Sequence, residues 1–161
     1  MASQDALNAG KTALMFYMSY FNAVSQVIGV EKATELQAKV SENMGMMQGK
    51  MMKEQSGMAD IDAKTAWSML RNIPESFGSS IEVVEESPQK VTLKCGKCSV
   101  YEAAHTLGID DKTIETMCNY SSNITLNSAA RQLNPNLDLK VAKFRSRPDE
   151  PCMEELVLSS T

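Results

Sequence analysis

Lys90-Val91-Thr92-Leu93-Lys94-Cys95-Gly96-Lys97-Cys98 is the stretch on which the reading of this chain turns. Val91 and Leu93 alternate with Lys90, Thr92 and Lys94, the period-2 pattern of a strand with one buried face. The strand runs straight into a C-x2-C knuckle. Upstream, Ile81-Glu82-Val83-Val84-Glu85 is a second β-rich run, and Glu86-Ser87-Pro88-Gln89 between the two reads as a hairpin turn. Downstream, residues 100–106 read as a short helix ended by Gly108. Asp110 then caps a longer helix carried to Leu133 by Ile114, Met117, Ile124, Leu126 and Ala130, and Asn134-Pro135-Asn136 stops it. Residues 137–144 form a third strand, 145–151 a turn and 152–158 the last strand.

The first half is helical. Leu7, Leu14, Met18, Phe21, Val24 and Ile28 recur at helical spacings over residues 5–28, and Gly29 is the expected stop. Phe16, Tyr17, Tyr20 and Phe21 cover so much of that helix that burial on more than one side is expected, in a core or against a second subunit. A second helix is predicted over residues 30–55, and six of the twelve methionines fall between Met44 and Met58. Soft, unbranched methionines suit core filler, a subunit interface or an adaptable pocket wall. Asp62 reads as the cap of a third helix bearing Trp67, Leu70 and Ile73 and stopped by Pro74. The sum is α+β: N-terminal helices packed on a mainly antiparallel four-stranded sheet, with two helices inserted between its hairpins. One domain over residues 1–161 is expected, helical over 1–75, with the sheet and cysteines over 80–161.

Charge sets further bounds. The chain carries a formal net charge of -4, with seven basic and eight acidic residues up to residue 80 and nine and twelve after it. Neither half is basic, so no nucleic-acid partner is expected. Met1-Ala2-Ser3-Gln4-Asp5 has no basic leader region, and the most apolar run, 13–28, is broken by Ser19, Asn22, Ser25 and Gln26. A cytoplasmic protein without a membrane partner is the expectation. In that compartment thiols read as metal ligands or catalytic groups before disulfides.

The four cysteines are Cys95, Cys98, Cys118 and Cys152, with 19 and then 33 residues separating the last three. Because Cys95 ends one strand and Cys152 begins another, their ends of the sheet can coincide. A shared site for zinc, or alternatively an iron–sulfur cluster, would use all four thiolates. The plain alternative makes Cys118 and Cys152 small buried hydrophobes, and a redox pair at Cys95 and Cys98 is a further one. A nucleophile reading favours Cys98, whose place at a helix start lowers a thiol pKa. Glu102, four residues on, and His105, seven on, are the candidate catalytic partners on the same helical face. Asp149-Glu150 and Glu154-Glu155 read as a solvated turn and an exposed strand face. There is no glycine-rich phosphate loop, G-x-S-x-G elbow or H-E-x-x-H.

Residues 91–158 resemble the L-2-amino-thiazoline-4-carboxylic acid hydrolase family. Cys95 and Cys98 lead into Tyr101-Glu102-Ala103-Ala104 and Leu107-Gly108-Ile109-Asp110. Cys118, Leu133-Asn134-Pro135-Asn136-Leu137 and Arg147-Pro148-Asp149-Glu150-Pro151 before Cys152 complete the likeness. The resemblance implies hydrolysis of a cyclic C–N bond. After Cys118 this chain reads Asn119-Tyr120-Ser121-Ser122-Asn123, where the family pattern commonly carries an acid. A fainter likeness to vinyl-reductase-like sensor domains implies a non-catalytic module for a small apolar ligand, with a cysteine-rich metal site. A structural or assembly subunit is the remaining alternative. The binding module predicts an apolar cavity lined by Phe21, Met44, Met47 and Met51. Homodimerisation is expected through the first two helices.

Overall fold

Glycines set the boundaries of the two long helices. In the computed structural model, which describes residues 4–159, α1 (Gln4–Ile28) and α2 (Val30–Ser56) are parted by Gly29 at φ 87°. That dihedral is open to glycine and strained for other residues. Residues 1–3, part of the chain start read for a leader, and residues 160–161 lie outside the described residues. Asp62 caps α3 (Ala63–Leu70) as expected, its carboxylate accepting from the Thr65 N–H at 2.7 Å. The helix ends at Leu70, short of the expected stop at Pro74. Pro74 instead sits in the first turn of α4 (Asn72–Ser76), where its missing N–H needs no intrahelical partner.

β1 (Ile81–Glu86) and β2 (Lys90–Cys95) make the predicted hairpin, closed by the Ser87 N–H donating to the Lys90 carbonyl oxygen at 2.8 Å. There follow α5 (Ser99–Thr106), α6 (Asp111–Tyr120), α7 (Ser122–Leu133), β3 (Leu137–Lys143) and β4 (Cys152–Leu158). The α+β expectation is met. The sheet order is β1-β2-β4-β3 with every neighbour antiparallel, so β4 lies between β2 and β3. Cys95 stands directly opposite Cys152 in the β2–β4 register.

The single helix expected between Asp110 and Leu133 is corrected to two, making three helices between the hairpins. Ser121, at φ −128° and ψ −86°, breaks it within the polar run from Asn119 to Asn123, whose side chains compete for backbone hydrogen bonds. The halves serve different cores. Ile114 packs with Met18, Tyr101 and Ala104 in a small cluster between α1, α5 and α6. Leu126, Ala129 and Leu133 join Trp67, Leu70, Leu93 and Leu156 in the larger core on the sheet's inner face.

α2 lies along α7 in the most extensive helix contact of the fold. Gly45 and Gly49 permit it: a Cβ on Gly45 would meet the Thr125 carbonyl oxygen, and one on Gly49 the Ala129 backbone. The opposite face of the sheet is solvated. There Glu155 accepts from Lys90 at 2.6 Å and pairs with Lys140 at 3.4 Å, while Lys94 pairs with Glu82 at 3.0 Å. Of the α1 aromatic cluster, Phe16 and Tyr20 face outward on the single chain, so a core does not cover them. Among the described residues, no helix is long and apolar enough to cross a membrane.

Candidate functional site

The strand end that carries Cys95 forms the floor of a cavity of about 370 Å³. Its walls come from α1 through Leu14 and Tyr17, from α2 through Val40 and Met44, and from the α6–α7 junction. Of the methionines and phenylalanine expected to line such a cavity, Met44 does so. Met47, Met51 and Phe21 are not on its wall. All four cysteines are free and all four line it. Among the described residues, no three His, Cys, Asp or Glu side chains are grouped to hold a metal ion.

Cys98 is the distinctive thiol. It is the N-cap residue of α5, and its pKa is lowered to about 6. The largest cause is a hydrogen bond from the Cys95 thiol, which is placed to donate either to Cys98 or to the Lys97 carbonyl oxygen at 3.9 Å. Burial opposes the shift, while the N–H groups of Tyr101 and Val100 and the charge of Arg145 favour it. Cys95 moves the opposite way, held protonated by donating to Cys98 and by burial. Burial first, then the negative charge of Cys98, keeps Cys118 a neutral thiol. Of these three thiols, Cys98 is the one biased towards the thiolate.

Two charged residues complete the site, and the sequence reading missed the role of both. Arg145, read as part of a turn, is 3% exposed. Its Nη2 donates to the carbonyl oxygens of Cys95 at 3.1 Å and Gly96 at 2.8 Å, and its Nε donates to Cys152 Sγ at 3.4 Å. The guanidinium also lies 4.5 Å from the centre of the Tyr101 ring. It thus clamps the ends of β2 and β4 to α5.

Glu154, read as part of an exposed strand face, points into the cavity instead. Alternation gives the reason: Cys152, Glu154 and Leu156 share one face of β4, and Leu156 is fully buried. Across the ladders Glu154 stands opposite Leu93 and Val141. Burial, reinforced by the charge of Cys98, pushes its carboxyl up to about 7 against the pull of Arg145. The same alternation puts Glu155 on the solvated face, as expected.

Glu102 and His105 open into a different space. They line a polar cleft of about 520 Å³ with Lys11, Lys97 and Asp149, whereas Cys98 lines the cavity; Arg145 and Tyr101 border both. His105 Nε2 lies 3.1 Å from Asp111 Oδ1, to which the Tyr101 hydroxyl donates at 2.7 Å. The structure therefore brings the four cysteines together and holds the two expected catalytic partners in the neighbouring cleft.

No family model matches the chain, and no curated protein matches it. Among solved structures it is similar to a trafficking protein particle complex subunit 3 from Naegleria fowleri, in a crystal structure with palmitic acid covalently bound. The match has a TM-score of 0.59 and 14% identity over 94% of this chain and 96% of that one. At that identity the likeness is one of fold.

Proposed function

We propose that this chain is a non-catalytic, cytoplasmic module that encloses a small, mainly apolar ligand between its helices and its sheet. The observation that carries the reading is the cavity. Its volume is in the range of small-molecule sites, and its walls are mostly apolar with a few polar groups. The neighbour of shared fold, which carries palmitic acid, supports an alkyl occupant. Hydrolysis of a cyclic C–N bond is the weaker proposal, because Glu102 and His105 do not share the cavity with Cys98. A zinc or iron–sulfur centre at Cys95, Cys98, Cys118 and Cys152 is also a weaker proposal, since it needs these side chains to converge.

The neutral fluorescent probe N-phenyl-1-naphthylamine tests the cavity. Saturable binding with an emission increase is expected in the wild type. About tenfold weaker binding is expected in Leu14→Trp, which fills the space, and in Val40→Trp, which narrows it from the exposed side of α2. Equal binding by all three proteins would refute the assignment. Turnover of a thiazoline carboxylate that disappears in Cys98→Ser would bring hydrolysis forward. One equivalent of zinc in anaerobically purified protein, lost in a Cys95→Ser/Cys98→Ser variant, would do the same for the metal.

We also propose that two copies of the chain pair through α1 and α2. Phe16 is 79% and Val27 84% exposed on α1, and Tyr20, Leu36, Met47 and Met51 add further exposed apolar surface along the two helices. Light scattering on a sizing column should give twice the 17.7 kDa chain mass, and a Phe16→Glu/Val27→Glu variant should run as the monomer. A monomeric wild type at micromolar concentration would dispose of the pairing.

A further inference from the structure

Buried polar atoms without partners are rare in folded proteins, and each asks for an explanation. Among the described residues, three buried side-chain oxygens have none: Gln48 Oε1, Thr92 Oγ1 and Glu154 Oε2. Gln48 and Glu154 both line the cavity, one from α2 and one from β4. Gln48 Oε1 is an acceptor, and Glu154 accepts through both oxygens once it is ionised, above its pKa of about 7. Leaving a buried acceptor unmet costs about 1–3 kcal/mol, and more for a charged group. An occupant of purely hydrocarbon character would preserve that cost at both places.

We propose that the ligand is a long-chain alcohol whose hydroxyl donates to Glu154, with Gln48 Oε1 as a second acceptor on the opposite wall. The inference rests on the cavity being a ligand site. It deepens that assignment by naming the polar end of the molecule.

Three geometric facts select a neutral donor. Glu154 Oε2 has no partner in the protein, and its neighbours across the sheet are Leu93 and Val141 and along its own face Cys152 and Leu156, so a ligand can supply the hydrogen bond. A carboxylate would bring a third acceptor to two unmet ones. Of the Arg145 donors, Nε and Nη2 are already given to Cys152, Cys95 and Gly96, which leaves only Nη1 to greet it. An ammonium group would supply donors, but its full charge is far more costly to desolvate than a hydroxyl. The alcohol meets the acceptors at the lowest desolvation cost.

Displacement of N-phenyl-1-naphthylamine by 1-decanol and by methyl decanoate isolates the donor. The two are neutral and similar in chain length, and only the alcohol has an O–H. At pH 8, where Glu154 is ionised, wild-type protein should favour the alcohol by about tenfold, the equivalent of one hydrogen bond to an otherwise unmet acceptor. The ratio should fall to near one in Glu154→Leu and in Glu154→Met, while the probe itself still binds. Equal displacement by ester and alcohol in the wild type, or an unchanged ratio in either variant, would overturn the proposal. So would an acyl group in thioester linkage to Cys98 on the purified protein, because an acyl chain has no donor. Failure of the probe to bind at all would instead remove the cavity assignment, and this inference with it.

Discussion

A Gly49→Leu variant is expected to lose about 3 kcal/mol of stability, and a Gly45→Leu/Gly49→Leu protein is expected not to fold. Intrinsic helix propensity works in the other direction, since leucine is better than glycine in a helix interior by close to 1 kcal/mol. The loss is steric. A Cβ on Gly49 would come within 2.8 Å of Ala129 Cα and of Gln132 Cβ, and one on Gly45 within 2.8 Å of Ser128 Cβ. The nearest atoms in both cases are α7 backbone carbonyl oxygens, which cannot swing aside as a side-chain end can. Separating α2 from α7 would open the largest helix contact in the fold and loosen the cavity wall that holds Gln48. Overpacking usually costs about 1–3 kcal/mol, and the rigid backbone places this case at the upper end. Urea unfolding followed through Trp67, the only tryptophan and a core residue, reports it directly. Asn43→Ala on the exposed side of α2 is the control and should be neutral or slightly stabilising. A Gly49→Leu protein as stable as the wild type would mean that the two helices are not so closely apposed.

The second large effect is a stability difference that appears only as pH rises. Glu154 has a folded pKa of about 7 against an ordinary 4.5, because burial disfavours its charge. Between those values the folded chain retains a proton that the unfolded chain has released, so unfolding stability falls with increasing pH. The favourable contribution is complete below pH 4.5 and is lost as pH passes through 7. Its total is about 3 kcal/mol, each tenfold difference in proton affinity between the folded and unfolded chain being worth about 1.4 kcal/mol. Glu154→Gln cannot ionise and should escape the loss. Measured in chelator, it should match the wild type's pH trend below 4.5, then gain about 3 kcal/mol on it by pH 8. Cys98 runs in the opposite sense: its pKa of about 6 lies below the ordinary 9.0, so its contribution grows as pH rises from 6 towards 9. The two are linked through charge, and removing the thiolate in Cys98→Ser should shrink the Glu154 effect. Parallel pH curves for wild type and Glu154→Gln would show that the carboxyl is solvated.

Much of this architecture is legible from short-range patterns. The alternation in Lys90-Val91-Thr92-Leu93-Lys94 gives β2, the aspartates at 62 and 110 do cap helices, and a strand-ending Cys95 does meet a strand-opening Cys152. These are decisions made within a few residues, where propensity and pattern agree. The break at Ser121 depends on two cores on different sides of one helical run, and no local window contains both. Glu154 is a different case. Its inward direction is already implied by Cys152 and Leu156 two residues on either side, but the adjacent Glu155 makes the pair look uniformly solvated. Arg145 gives no local sign at all, because its partners belong to β2, β4 and α5, up to 50 residues away.

The position of β4 in the sheet has a bearing on synthesis. A ribosome delivers β4 after β1, β2 and β3, yet it occupies the gap between β2 and β3. Until it emerges, each of those strands shows an unpaired hydrogen-bonding edge, the form most prone to mispairing with other chains. The nascent chain also lacks Glu154, and with it one of the two unmet acceptors of the cavity. A ligand that needs this acid can reward only the finished sheet, so occupancy would serve as a check that the last strand has been threaded into place.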